Sequence, residues 1–198
     1  MGLVRYRQKR DFKRTPEPEG KQRKRAVKKL AFVIQKHDAS RLHYDFRLEM
    51  DGVLKSWAVP KGVPMERGEK RLAMEVEDHP VEYGTFEGTI PEGNYGAGTV
   101  MLWDFGTYEV VEPNPLRALA AGKLQLILHG KKLNGEWHLV RMRARDDNDK
   151  RAWLLIKSGE DHKPLPVRKA DRSVTTGRTM DEIAGGKSRV WKSNRAAK

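Results

Sequence analysis

The chain contains no cysteine, which excludes a disulfide framework and a thiolate zinc site, so any metal it binds is held by imidazole and carboxylate groups. No run of about 18 apolar residues is present to span a bilayer, and the start MGLVRYRQKRDF has no apolar stretch of the signal-peptide kind. A soluble, cytoplasmic protein is expected. Hydrophobic residues are only 37% and aromatic residues 8% of the 198, enough for one core but not two. The phosphate-loop patterns GxxxxGK[ST] and GxGxxG are also missing, and no Ser/His/Asp nucleophile arrangement can be drawn from spacing.

What is present in excess is positive charge, +13 in all, and it is unevenly placed. Residues 1–30 carry 12 basic against 3 acidic side chains and residues 157–198 carry 11 against 5, while the middle holds 17 against 19. A nearly neutral centre between basic tails suits a polyanionic partner, since Lys and Arg that neutralise phosphates release counterions from nucleic acid. Solubilising tails have the same composition.

Residues 13–29, KRTPEPEGKQRKRAVKK, mix Pro, Gly and charge without an apolar period and read as an extended, mobile arm. Period-two patterning then begins. In Leu42–Met50, LHYDFRLEM, the residues Leu42, Tyr44, Phe46, Leu48 and Met50 fall on one face and His43, Asp45, Arg47 and Glu49 on the other, the pattern of a half-buried strand. Asp51-Gly52 supplies a two-residue turn into Val53–Val59. Further strands are expected at Leu72–His79, with Leu72, Met74 and Val76 inward, and at Thr99–Asp104, Lys123–Leu133, Glu136–Arg143 and Ala152–Lys157, with a hairpin turn at Asn134-Gly135. Short helices fit Pro115–Ala121 and Met180–Ala184. The fold expected is mainly β, a compact antiparallel barrel or sandwich with a few short helices. It divides into a basic arm over 1–29, a barrel over 30–157 and a basic tail over 158–198.

The chemistry concentrates in HDASRLHYD. His43 and Asp45 project from the same strand face about 7 Å apart, and the turn DASR can fold His37 back beside them. Two imidazoles and a carboxylate leave open coordination positions for a substrate oxygen or water. A lone His-x-Asp on a strand is more often an ordinary solvated face; Arg47 on the same face adds a bidentate grip suited to phosphate. His79, sharing a face with Glu75 and Glu77, can bind phosphate or donate a proton to a leaving oxygen. Tyr83, Lys61 and Arg71 are further phosphate donors. The glycines of FEGTIPEGNYGAG, residues 86–98, are read as tight turns beside the active face. His129, His138 and His162 are too scattered to assign.

The stretches FVIQKHDASRLHYDFRLEMDGVLKSWAVPKG and EVEDHPVEYGTFEGTIPEGNYGAGTVMLWD resemble the 3′-phosphoesterase domain of bacterial DNA ligase D, a likeness that runs over roughly residues 8–156. The tail RSVTTGRTMDEIAGGKSRVWKSN resembles the linker joining that domain to a ligase module. The resemblance implies a manganese-dependent β-barrel enzyme of double-strand break repair, removing a terminal 3′ ribonucleoside from a primer-template and then the 3′ phosphate left behind. It assigns metal ligation to His37, His43 and Asp45 and phosphate contact to Arg47, His79 and Tyr83. It adds Lys61 and Arg71 as basic contacts, and Arg10, Asp11, Glu17 and Glu77 for the diesterase step, so part of the arm is expected over the site. Zinc, cobalt and iron are chemically admissible in place of manganese. Expected partners are DNA 3′ ends, a ligase or polymerase and an end-binding protein; a monomer with no membrane contact is expected. The sequence EMDG puts Glu49 where the ligase signature KxDG has its nucleophilic lysine, which excludes lysyl-adenylate formation there. The competing reading is a noncatalytic DNA-binding or scaffolding module.

Overall fold

The computed structural model describes residues 2–20, 29–143, 151–159 and 165–186. Nine strands form one antiparallel sheet: β1 (Leu30–Asp38), β2 (Leu42–Met50), β3 (Val53–Val59), β4 (Lys70–Glu75), β5 (Gly88–Ile90), β6 (Gly98–Val110), β7 (Lys123–Gly130), β8 (Asn134–Arg141) and β9 (Ala152–Ser158). Eight of them close in the order β1-β2-β3-β4-β9-β8-β7-β6, with β6 returning to β1, and β5 adds to β6 alone. Closure leaves a barrel with few free edges. β6 pairs with β1 along its length on one side, and on the other with β5 at Gly98–Val100 and β7 at Gly106–Val110.

Alternation builds the interior. Phe32, Ile34, Phe46, Leu48, Trp57, Trp137 and Trp153 point inward and are essentially solvent-free. Each such side chain contributes about 1.5–3 kcal/mol by leaving water. The β2–β3 hairpin turns on Asp51 and Gly52, both at positive φ (53° and 73°), as the Asp-Gly pair predicts.

Two of the expected strand and turn placements are corrected. The fourth strand ends at Glu75, and Ala73 rather than Leu72 faces the core: Ala73 is buried and Leu72 is 44% exposed. The β7–β8 turn lies before Asn134, since His129 pairs with Asn134. It is organised by Asp104 of β6, whose carboxylate accepts the backbone N–H groups of Lys131, Lys132 and Leu133 at 2.8–3.0 Å. A carboxylate from another strand overrides the local Asn-Gly preference.

A smaller apolar cluster of Tyr6, Leu54, Tyr83, Phe86, Ile90 and Val100, with Phe12 against it, lies on the outer face of β1–β3. It is made by the N-terminal segment with α1 (Val4–Gln8) and by a short 3₁₀ turn, Val81–Thr85, with β5. Residues 13–20 are packed rather than loose: Thr15 and Glu17 are buried, and Tyr6 Oη donates to the Pro18 carbonyl at 2.6 Å. Residues 21–28 of the expected arm lie outside the described residues. Helix α2 (Pro115–Ala121) follows β6, and α3 (Val167–Ala170) and α4 (Met180–Ala184) follow β9. Among the described residues no helix is long and apolar enough to cross a membrane.

Candidate active site

The β1–β2 hairpin sets His37 directly opposite His43 and Gln35 opposite Asp45. Because strand side chains alternate, Gln35 and His37 share the outer face with His43, Asp45 and Arg47, and with Ser56 opposite Arg47 on β3. At the far end of β1, Gly98 has φ +140°, and a Cβ there would lie 2.1 Å from the Asp38 carbonyl oxygen. Glycine therefore lets the loop before β6 close against His37.

That closure fixes the imidazoles. His37 Nε2 is 3.0 Å from the Gly96 carbonyl and His43 Nδ1 is 2.9 Å from the Arg41 carbonyl. A carbonyl only accepts, so each of those nitrogens carries the hydrogen and, in the neutral ring, the other presents a lone pair. Those other nitrogens face the same carboxylate, His37 Nδ1 at 3.7 Å from Asp45 Oδ2 and His43 Nε2 at 3.8 Å from Oδ1. The separations are too long for hydrogen bonds and suit donors that share one ion. All three ligand atoms lie within 4.8 Å of one another. This trio can hold a metal ion.

Asp45 is itself braced. Arg47 donates from Nη2 to Asp45 Oδ2 (2.9 Å), from Nε to Gln35 Oε1 (2.8 Å) and from Nη1 to Ser56 Oγ (2.8 Å). Burial alone would favour the protonated carboxyl of Asp45, but the Arg47 charge outweighs it and holds the carboxyl well below the usual range. Gln35 passes the support onward, its Nε2 donating to the carbonyls of Tyr83 and Phe86 at 3.1 and 2.9 Å.

A second charged layer sits above. Arg10 Nε donates to Glu17 Oε1 at 2.8 Å and Nη1 to Glu77 Oε1 at 3.2 Å. His79 lies between Arg10 and Arg47, with Nε2 3.3 Å from Arg10 Nη2, and with Nδ1 3.0 Å from Arg47 Nη1 and 2.8 Å from the Glu77 carbonyl. Only the tautomer with hydrogen on Nδ1 satisfies the carbonyl and leaves Nε2 to accept from Arg10. Burial first, and then the two guanidinium charges, push the His79 pKa well below its ordinary value of 6.5. It is a neutral ring with an occupied N–H, which disfavours the proton donation expected from its sequence position. The Tyr83 ring lies tilted against His79 at 4.8 Å between centroids and 5.0 Å from the Arg47 guanidinium.

These groups line one cavity of about 260 Å³: His37, His43, Asp45 and Arg47 on the barrel wall, with Arg10, Glu77, His79, Tyr83 and Tyr95 around it. The family profile of the DNA ligase D 3′-phosphoesterase domain matches residues 35–141, which hold most of this cavity. The chain belongs to that family.

Its relatives agree with the profile. Across 157 residues the chain is 52% identical to the multifunctional non-homologous end joining protein LigD of Pseudomonas aeruginosa, covering 79% of this chain and 18% of that protein. It is 43% identical over 193 residues to the multifunctional non-homologous end joining DNA repair protein LigD of Mycobacterium tuberculosis, and 39% identical over 194 to the LigD of Mycolicibacterium smegmatis. Each match covers 96% of the chain and 24% of the relative. The matched part of the chain thus spans 18–24% of the length of these proteins.

Not every expected residue reaches the cavity of this phosphoesterase-family domain. Glu17 acts through Arg10 from a buried position. Asp11 is exposed, its Oδ1 accepting the Lys13 N–H at 3.0 Å, so it shapes the turn that presents Arg10. Lys61 is exposed in the turn that follows β3 and Arg71 is paired with Glu69 near the start of β4, and neither lines the cavity; Val59 pairs with Tyr44, so this is the barrel end that carries His43. Three groups of the site had escaped the sequence reading: Gln35 and Ser56, which brace Arg47, and Tyr95, which lines the cavity. Gln35 and Ser56 share the outer face by the same alternation that places His43, a signal available in FVIQKHD and VLKSWAV. Tyr95 sits among turn glycines, where no periodicity marks it.

Proposed function

We propose that this chain is a manganese-dependent phosphoesterase that processes DNA 3′ ends in non-homologous end joining, removing a terminal 3′ ribonucleoside and then the 3′ phosphate. The observation that carries this reading is the convergence of His37 Nδ1 and His43 Nε2 on the Asp45 carboxylate, inside a cavity that also holds two buried arginines. An N,N,O donor set with open positions suits manganese, zinc, cobalt and iron(II) alike; family membership favours manganese. Such an ion supplies Lewis acidity, drawing charge from phosphoryl oxygens and acidifying water.

The side chains supply the rest. Among the described residues Arg47 retains one uncommitted Nη2 N–H after its three bonds, and that donor, with Arg10, neutralises a phosphoryl group held over the trio. His79 orients Arg10 through Nε2, and its ring keeps the Arg10 and Arg47 charges apart. Tyr83 closes the cavity behind them. Lys61 and Arg71, at the barrel end near His43, meet the flanking DNA backbone. Residues 2–20 form the lid, 30–158 with the docked segment 165–186 the catalytic barrel, and the C-terminal end the connection to a ligase or polymerase module or an end-binding protein.

The test is a labelled primer-template ending in one 3′ ribonucleotide, incubated with manganese, with chelator, and with His43→Ala. Wild type with manganese should shorten the primer, and chelator or His43→Ala should reduce the rate at least about 100-fold. Equal inactivity of wild type and His43→Ala would favour the noncatalytic module instead, and cleavage that persists in chelator would remove the metal from the mechanism.

A further inference from the structure

Tyr95 is 47% exposed, whereas Tyr6, Tyr83 and Tyr108 are buried and Tyr44 packs edge-on against Trp103 at 5.3 Å. Its ring lines the cavity that holds His37, Asp45 and Arg47. Its place there is fixed from two sides. The next residue, Gly96, holds His37 through its carbonyl at 3.0 Å, with φ +74° that a side chain would strain. From the opposite side Lys9 Nζ donates to Tyr95 Oη at 3.0 Å and lies 4.4 Å from the ring centre, with the Arg10 guanidinium 5.4 Å away. A half-exposed aromatic ring thus borders the cavity, flanked by cations and joined by one peptide bond to a residue that orients a metal-ligand candidate.

We infer that the Tyr95 ring is the platform on which the nucleoside beyond the scissile phosphate stacks, with Lys9 beside it to meet that nucleoside's own polar atoms. The inference rests on the phosphoesterase reading above and adds the group that recognises the leaving nucleoside. Stacking is tolerant of base identity because every base presents a π-face, so preference among the four bases should be slight. A 3′ phosphate has no nucleoside beyond it and gains nothing from the ring. Tyr95 is therefore a positioning residue for the diester, and the two substrates depend on it unequally.

The experiment compares wild type, Tyr95→Ala and Tyr95→Phe, with manganese, on three primer-templates: one ending in a ribonucleotide, one in a ribose lacking its base, and one in a 3′ phosphate. Tyr95→Ala should raise KM for the ribonucleotide primer about tenfold with a smaller change in kcat. Its loss on the other two primers should be several-fold less, so that removing ring and base together costs little more than removing either. Tyr95→Phe, which keeps the ring and deletes the bond to Lys9, should restore most of the affinity. Equal losses on all three primers, or Tyr95→Phe as impaired as Tyr95→Ala, would overturn the platform and make Tyr95 an anchor for Lys9. Wild type inert on both the ribonucleotide and the phosphate primers would instead sink the phosphoesterase reading, and the platform with it.

Discussion

His79 lies with its two ring nitrogens facing the guanidinium groups of Arg47 and Arg10, an arrangement that tolerates the neutral imidazole alone. The unfolded chain takes up a proton on this ring around its ordinary 6.5, while the folded protein resists it because the site is buried and then because both arginines repel it. The folded pKa is the lower of the two. Stability from this group is therefore complete above 6.5 and is lost as pH falls below it, by up to about 1.4 kcal/mol per pH unit. His79→Gln should flatten stability between pH 6 and 5 relative to wild type, as read from urea midpoints across that range. Parallel curves would refute the neutral, proton-excluding role. The nature of this ring was not legible in the sequence, which placed His79 near carboxylates and suggested a proton donor; its arginine neighbours come from β2 and from the N-terminal segment. His37, His43 and Asp45 were legible because alternation and a short turn suffice to bring them together.

Elements show the same division between local and distant causes. The β1–β2 and β2–β3 hairpins follow from patterns within about ten residues and fold as expected. The β7–β8 turn does not, because the Asp104 carboxylate reaches it from β6. That carboxylate also accepts the Phe105 N–H at 2.9 Å, so four backbone donors depend on it. Asp104→Ala should cost at least about 3 kcal/mol in equilibrium unfolding, since stranded donors cost roughly 1–3 kcal/mol each when buried. A cost below about 1 kcal/mol would mean that water replaces the carboxylate freely. The C-terminal segment, read as a linker, behaves as part of the barrel over 165–186. Thr179 and Glu182 form a capping box on α4, Ile183 is 1% exposed, Arg178 pairs with the largely buried Glu87 at 3.1 Å, and Trp103 Nε1 donates to the Ala170 carbonyl. The capping box and the helix are visible in TMDEIA. The docking is not, because one isoleucine in a polar tail carries no period. Ile183→Ala should lower stability by about 2–4 kcal/mol; an unchanged unfolding midpoint would return the segment to the status of a linker.

Across the whole molecule, an antiparallel barrel or sandwich was readable from strand number and spacing and the barrel from the family resemblance, whereas the registry that closes it was not. Closure depends on β6 running long enough to reach β1 on one side and both β5 and β7 on the other, a property of registry that single-strand patterns do not encode. Charge is the global property that composition does encode. The net +13 resides in segments flanking a near-neutral barrel, and residues 187–198 alone carry Lys187, Arg189, Lys192, Arg195 and Lys198 with no acidic residue. If those side chains meet DNA phosphates, replacing all five by glutamine should reduce the slope of log affinity against log salt by about 0.9 for each duplex phosphate contact removed. Five contacts would shift it by about 4.5. Cleavage at saturating primer should change far less than binding, because these residues lie beyond the 35–141 span that holds most of the cavity. The measurement is primer-template binding by fluorescence anisotropy from about 50 to 200 mM salt, the range over which counterion release changes affinity by orders of magnitude. A slope identical to wild type would show that the C-terminal charge serves something other than DNA, and would leave the N-terminal segment, which carries Arg10 into the cavity, as the one basic flank engaged with the substrate.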